Sequence, residues 1–266
     1  MAFLAIVALM ALASVAHAWT PIPGLRWQYQ LQGDVVTSLC QKPISRGPCV
    51  HPDVYDIDLY DNDGTALNGA AVAAIHALGA HAVCYVDAGT WEDFRPDTAA
   101  YQESVKGKKN GWPGEKWLDV RQTGVLLPII EARVQKCVDA GFDAVEYDNV
   151  DGYTNDSGFP LTASDQLAFN TALADIAHGH GLPVGLKNDL DQAVELMSSF
   201  DFAINEQCFK YHECGVYDAW TAAGRAVVEV EYSGANKKIC ADAALHGRDA
   251  IRKKLALRAI PWKPCR

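Results

Sequence analysis

Two carboxylates separated by a single residue stand in the stretch from Gly141 to Tyr153, which reads Gly-Phe-Asp-Ala-Val-Glu-Tyr-Asp-Asn-Val-Asp-Gly-Tyr. Phe142, Val145 and Tyr147 favour a half-buried extended ribbon, whereas Asn149, Asp151 and Gly152 are turn formers. Strand therefore gives way to loop at about Asp148. Side chains alternate along a strand, so Ala144, Glu146 and Asp148 share one face. Burying carboxylates is costly unless partners or chemistry use their charge. The plainer alternative is a solvated edge strand with paired surface acids, and the rest of the chain must decide between them.

Acids at strand ends suit glycoside hydrolysis, which needs two carboxyl groups flanking one bond. Asp148 and Glu206 meet that requirement, as the last residues of a fifth and a seventh expected strand. Glu146, Asp87, Asp58, Asp189 and Glu231 are competitors that spacing does not exclude. Trp91, Trp112, Trp117, Tyr153, Tyr211 and Tyr232 are available to stack on sugar faces, although any one of them alone reads equally as core or surface.

Other chemistries fit less well. Asp61, Asp63 and Gly64 hint at a calcium loop, but Leu59 and Ala70 occupy its first and twelfth positions and break the pattern. No cysteine spacing resembles a zinc site, and His178 and His180 read as surface residues near a helix end. No nucleophile elbow, phosphate-binding glycine loop or dinucleotide fingerprint is present. Neither a metal nor a cofactor is expected. Asn155-Asp156-Ser157 is a glycosylation sequon in the loop that follows the candidate catalytic strand.

The elements that must position these residues alternate. Strands are expected at Trp27–Gln30, Val54–Tyr60, Ala82–Asp87, Lys116–Arg121, Phe142–Asp148, Pro183–Lys187, Phe202–Glu206 and Ala226–Tyr232. Helix signals lie between most of them. Ala70–Leu78 ends at Gly79, Pro128 suits a first helical turn, and Ile130, Val134, Cys137 and Val138 form a stripe ending at Gly141. Thr162 and Asp165 resemble a capping box opening a helix that finishes at Gly181. Eight β and α alternations predict an α/β chain, a single (β/α)8 TIM-like barrel with disulfides. Parity sends polar residues inward on strand after strand: Asp56, Asp58 and Tyr60; Tyr85 and Asp87; Asp119 and Arg121; Glu146 and Asp148; Lys187 and Asp189; Glu206; Glu229 and Glu231. An ordinary barrel interior is apolar. One polar face is unremarkable, but seven argue for a site.

Residues 1–18 carry a compact uncharged apolar run, Phe3–Val15, followed by Ala16-His17-Ala18, and read as a removable signal peptide. Residues 19–266 then form the barrel domain of an exported protein. The eight cysteines all lie in that part, and an even count in an exported chain points to disulfides. Cys40–Cys49 and Cys208–Cys214 are expected by proximity, while Cys84, Cys137, Cys240 and Cys265 leave several pairings open. The formal net charge of −10 argues against nucleic-acid binding and favours a cationic ligand, although acidity also simply aids solubility. No later segment is apolar enough to expect a membrane partner, and a monomer is expected.

The stretches Val54–Asp61, Gly111–Arg121, Asp148–Asn155, Gly185–Asp189 and Asn205–Cys208 resemble glycoside hydrolase family 114, the endo-α-1,4-polygalactosaminidases of bacteria and fungi. The resemblance runs from about Trp27 to Tyr232 and covers no motif beyond Gly234. It implies a modified eight-stranded β/α barrel. It also implies that the catalytic pair is the first Asp of Asp-Asn-Val-Asp and the Glu of Asn-Glu-Gln-Cys, here Asp148 and Glu206. The implied substrate is a partly deacetylated galactosamine polymer, a cationic polysaccharide. Joining this to strand parity gives substrate-binding candidates Asp58, Tyr60, Asp87, Trp112, Asp119 and Arg121. Asn149, Asp151, Tyr153, Lys187, Asp189 and Glu231 complete the set, with Lys187 expected to hold Asp148 ionised. A hydrolase of another α-linked galactose or hexosamine glycan, or a secreted sugar-binding barrel without activity, are the alternatives.

Overall fold

The computed structural model describes residues 19–40 and 49–266, so the expected signal peptide lies outside the described residues. In chain order the first strands are Trp27–Gln30 (β1), Val54–Asp58 (β2), His81–Asp87 (β3), Thr90–Glu92 (β4), Lys106–Lys109 (β5) and Glu115–Leu118 (β6). Ala144–Asp148 (β7), Val184–Lys187 (β8), Phe202–Glu206 (β9), Val227–Glu231 (β10), Asp249–Arg252 (β11) and Lys263–Pro264 (β12) follow. The α-helices are Gly69–Ala77 (α1), Thr123–Ala140 (α2), Ala163–Gly179 (α3), Ala193–Leu196 (α4), Cys208–Tyr211 (α5), Asp218–Ala222 (α6) and Asn236–Leu245 (α7).

Strands β1, β2, β3, β7, β8, β9, β10 and β11 pair in that order, all parallel, and β12 adds antiparallel to β11. The edges approach each other: Leu31 and Gln32 N–H donate to the Leu257 carbonyl at 3.0 and 3.2 Å, and Trp262 Nε1 donates to the Trp27 carbonyl at 2.8 Å. The sheet is thus a nearly closed barrel. Its outer face packs on the helices, with Ile57, Cys84, Val145, Tyr147 and Leu186 against Val72, Leu126, Ile130 and Phe169. Its inner face holds a smaller apolar cluster that includes Trp27, Val54, Val83, Phe202 and Ile204.

Two expectations need correction. Lys116–Arg121 is not a barrel strand: Glu115–Leu118 pairs antiparallel with β4 and β5 in a separate three-stranded sheet. Strand β6 runs from half-exposed Glu115 and Lys116 to buried Trp117 and Leu118, which suits a ribbon only partly covered. Barrel strands are buried on both faces. The eighth parallel strand is instead β11, whose Asp-Ala-Ile-Arg carries too little apolar pattern to be read from sequence. Strand β10 also has the reverse of its expected facing. Val228 and Val230 join the inner cluster, so Glu229 and Glu231 point away from the barrel axis.

Local signals mostly hold. Gly141, at φ 87°, ends α2, and Thr162 with Asp165 forms a complete capping box on α3. Pro128 lies inside α2 rather than at its first turn. Both expected local disulfides form, and the remaining cysteines pair as Cys84–Cys137, from β3 to α2, and Cys240–Cys265, from α7 to the chain end.

Candidate active site

Three successive barrel strands end by turning sharply into left-handed backbone: Asn149 after β7 (φ 58°), Asn188 after β8 (φ 50°) and Gln207 after β9 (φ 71°). Asparagine tolerates that region better than most residues. Each turn stops its strand and leaves the preceding side chain, Asp148, Lys187 or Glu206, at the carboxyl end of the barrel. Neighbouring loops approach closely there. A Cβ on Gly89 would collide with the Asn149 backbone, so only glycine fits.

Asp148, Lys187 and Glu206 meet in a cavity of about 420 Å³, which is also lined by Asp58, Asn149 and Trp112. Lys187 Nζ stands 3.0 Å from Asp148 Oδ1 and 3.3 Å from Glu206 Oε2. Those two oxygens therefore lie no farther apart than the sum of the two contacts. Asp148 also accepts from the Tyr85 hydroxyl and from the Asn149 backbone N–H, each at 2.8 Å. Burial pushes the Asp148 carboxyl up, but Lys187, Tyr85 and the Asn149 amide outweigh it and hold it below the usual carboxylate range. Glu206 goes the other way. Burial raises its carboxyl, and the charge on Asp148 adds to the effect, with Lys187 offsetting only part.

Beneath this pair, Glu146 accepts from Tyr29 at 3.1 Å and lies 3.9 Å from Lys187 Nζ. Burial raises it to about 7 against the pull of Lys187. Its neighbour Asp56 is fully buried, and neither of its oxygens receives a hydrogen bond from a donor group. Burial and the facing Glu146 push Asp56 well above the carboxylate range. Four acids thus lie around one ammonium, and burial favours the protonated form of the Asp56–Glu146 pair.

The remaining candidates divide. Asp58 lines the cavity but is clamped by Arg95 through two hydrogen bonds of 2.6 and 2.7 Å. Asp87 is buried behind the wall, accepting from Thr90 N–H at 2.8 Å and from Asn149 Nδ2 at 2.7 Å, and so orients the loop after Asp148. Tyr60 lines an adjoining cavity of about 310 Å³ that shares Asp58, Phe94 and Arg95 with the first. Trp112 is half exposed at the rim.

Asp119 and Arg121 lie outside the cavity lining and bond each other at 2.7 and 2.9 Å, at the turn into α2. Asp151, Tyr153 and Asp189 stand together just past the carboxyl ends of β7 and β8, also outside the lining. There the Tyr153 hydroxyl donates to Asp189 at 3.2 Å and Asn170 to its other oxygen at 3.0 Å. Burial raises Asp151 to about 6 and Asp189 to about 7. Glu231 accepts from the Phe209 N–H at 2.8 Å, outside the barrel interior.

Several lining groups had no place among the sequence candidates: Tyr29, Tyr85, Glu92, Arg95 and Glu115. Tyr85 is inward by parity and could have been chosen. Glu92 and Arg95, 2.7 Å apart, lie in the charged run that directly follows the third strand, which was the available signal. Asp87, Glu92 and Glu115 bring carboxylate oxygens within 4.8 Å of one another; Thr90, Asn149 and two arginines hold Asp87 and Glu92, whereas Glu115 accepts through Oε2, from Asn110 and Thr90.

Two strand-end carboxyls with pKa values shifted in opposite directions, sharing one cavity at the carboxyl end of a β/α barrel, are the equipment of a glycoside hydrolase. The chain belongs to glycoside-hydrolase family GH114, whose family model matches residues 9–263. It is similar to Aspergillus fumigatus Ega3, solved in complex with galactosamine, at 30% identity, covering 91% of this chain and 95% of that one with a TM-score of 0.79. The glycoside hydrolase domain of PelA from Pseudomonas aeruginosa shares the fold at 13% identity, covering 90% of this chain and 97% of that one with a TM-score of 0.64. No curated protein matches the sequence.

Proposed function

We propose that this protein is an exported hydrolase of α-1,4-linked galactosamine polymers, with Asp148 as nucleophile and Glu206 as general acid and base in a retaining double displacement. One observation carries the reading: Asp148 and Glu206 share Lys187, yet their carboxyl pKa values are shifted in opposite directions, Asp148 down and Glu206 up. Glu206 gives its proton to the glycosidic oxygen while Asp148 attacks the anomeric carbon. Glu206 then takes a proton from the water that releases the sugar from Asp148. Lys187 stabilises whichever carboxylate is charged at each stage. Retaining pairs stand about 5–5.5 Å apart and inverting pairs about 6.5–9.5 Å, and an ammonium bridging both oxygens favours the shorter class.

Four further features support the substrate. Ega3 binds galactosamine by its structure's own description. The chain is acidic, at −10. Glu115 lines the cavity with no cation paired to it, bonded instead to Asn110 and 3.4 Å from the Thr90 hydroxyl, and is suited to receive a sugar ammonium. Trp112 at the rim offers a stacking face. Residues 1–18 act as the export signal, and residues 19–266 as the catalytic domain.

The test is turnover on a deacetylated galactosamine polymer against its fully acetylated, neutral form. Asp148→Asn and Glu206→Gln should each lose at least about a thousandfold in kcat with an unchanged melting curve. Product anomers followed by NMR should start as α, and an initial β-anomer overturns retention. Full activity in Asp148→Asn overturns the assignment of the pair.

A further inference from the structure

From Ala250 to Arg266 the chain contains no Asp or Glu but carries Arg252, Lys253, Lys254, Arg258, Lys263 and Arg266, in a protein with 33 acidic and 23 basic residues. Among the described residues only Arg266 of this set has an ion-pair partner, Asp249 at 3.0 Å. Strand β11 and the returning β12 fold the segment around a cavity of about 460 Å³. Arg252, Lys253, Lys254 and Lys263 line it, with Tyr232, Ile260 and Pro261 supplying an aromatic and apolar wall. No carboxylate lines it.

Two of its polar groups lack partners. Arg252 Nε and the Tyr232 hydroxyl are shielded from solvent and hydrogen-bonded to nothing among the described residues. A guanidinium donor and a phenol hidden in this way leave uncompensated desolvation. Lys253 is buried as well, its Nζ donating to Gln28 Oε1, Arg258 O and Ala259 O at 2.7, 2.8 and 3.1 Å. All three acceptors are neutral, so its charge has no counter-ion. Burial accordingly lowers its pKa to about 7.

The loop that follows, Leu255–Arg258, lines the catalytic cavity. One short segment therefore separates an acid-bearing cleft from a basic pocket on the same end of the barrel. The volume lies within the range of about 300–1,000 Å³ usual for small-molecule sites. Cations beside an apolar and aromatic wall suit an anionic group carried on a compact organic body better than a bare ion.

We propose that this pocket binds an organic anion of about monosaccharide size, a carboxylated sugar, through Arg252 and Lys263, with Tyr232 as part of the wall. Its position lets a glycan that mixes cationic and acidic units hold an acidic unit here, beside the catalytic cleft. The site stands on its own chemistry and does not depend on the hydrolase reading.

Calorimetric titration of the full chain with D-galacturonate, D-galactose and inorganic phosphate tests it. Galacturonate should bind saturably and galactose should not. Arg252→Gln combined with Lys263→Gln should weaken galacturonate at least about tenfold, the loss of one or two charge-assisted bonds. Lys237→Gln with Lys238→Gln, which removes the same charge from the exposed face of α7, should change nothing. Should the Arg252 double variant melt early, Lys254→Gln with Lys263→Gln replaces it, both side chains being exposed. Equal binding of galactose, equal loss in the α7 control, or no saturable binding of galacturonate overturns the site. Phosphate binding as tightly as galacturonate overturns the sugar-sized ligand.

Discussion

The Tyr85 hydroxyl donates to Asp148 Oδ2 at 2.8 Å, on the oxygen that Lys187 leaves free. Both oxygens of the nucleophile candidate are thus held by donors, and a carboxylate so held resists protonation. Tyr85→Phe should raise the Asp148 pKa and move the acid limb of the kcat profile to higher pH. A hydrogen bond to a charged group is worth about 1.5–3 kcal/mol, so kcat should fall roughly ten- to a hundredfold. An unchanged acid limb would mean that Lys187 alone sets the charge.

The alkaline limb should belong to Glu206. Burial and Asp148 raise its pKa, and a general acid must be protonated, so activity should be lost as pH rises through the Glu206 pKa. Activity should be lost at the other end as pH falls through the lowered pKa of Asp148. Glu146→Gln removes a negative charge near both and should shift the alkaline limb downward. A limb that stays in place shows that Glu146 is uncharged in the working enzyme.

Stability should also depend on the buried dyad. Asp56 and Glu146 have folded pKa values above their unfolded ones, through burial and, for Asp56, its neighbour Glu146. Their favourable contribution is complete below the unfolded carboxylate values, near pH 4, and is lost as pH rises through the raised folded values, about 7 for Glu146. Asp56→Asn cannot release that proton. Its melting temperature should fall less than that of the wild type between pH 5 and 8, measured by calorimetry.

Substrate affinity should weaken with salt if Glu115 meets an ammonium. Charges at an open rim are screened over roughly 8–10 Å at physiological ionic strength. The KM for the cationic polymer should rise between low and high salt in the wild type, and Glu115→Gln should raise KM at low salt and flatten the dependence. A KM indifferent to salt in both would assign affinity to stacking and neutral hydrogen bonds.

Much of the site was legible because its residues follow strand periodicity. Asp148, Lys187 and Glu206 end strands whose inward parity is fixed by Ala144, Gly185 and Phe202, and a period of two carries that parity to the strand end. Glu231 shows how the same reasoning fails. In Val-Val-Glu-Val-Glu both faces are buried, so the pattern does not say which one looks inward. The Arg248 side chain, drawn from another element, neutralises Glu229 on the outer face. Asp119 and Arg121 failed for a different reason. The alternation of strand and helix signals places Lys116–Arg121 in the barrel, whereas the strand ends at Leu118 and its antiparallel partners lie in residues with little strand pattern. Arg95 could be placed only by folding, since its partner Asp58 is 37 residues away.

The small antiparallel sheet of β4, β5 and β6 arises within one crossover of the barrel, between β3 and β7. Phe94, Arg95, Trp112 and Glu115 all come from this one excursion, whereas Asp148, Lys187 and Glu206 come from the barrel frame. On the proposed reading, reactivity and recognition are written in separate stretches of the chain. Insertions or exchanges in the excursion can retune which polymer is accepted while the strand registers beneath the reacting bond stay untouched. A lineage built on this plan can diversify its diet by revising one passage and inheriting the rest.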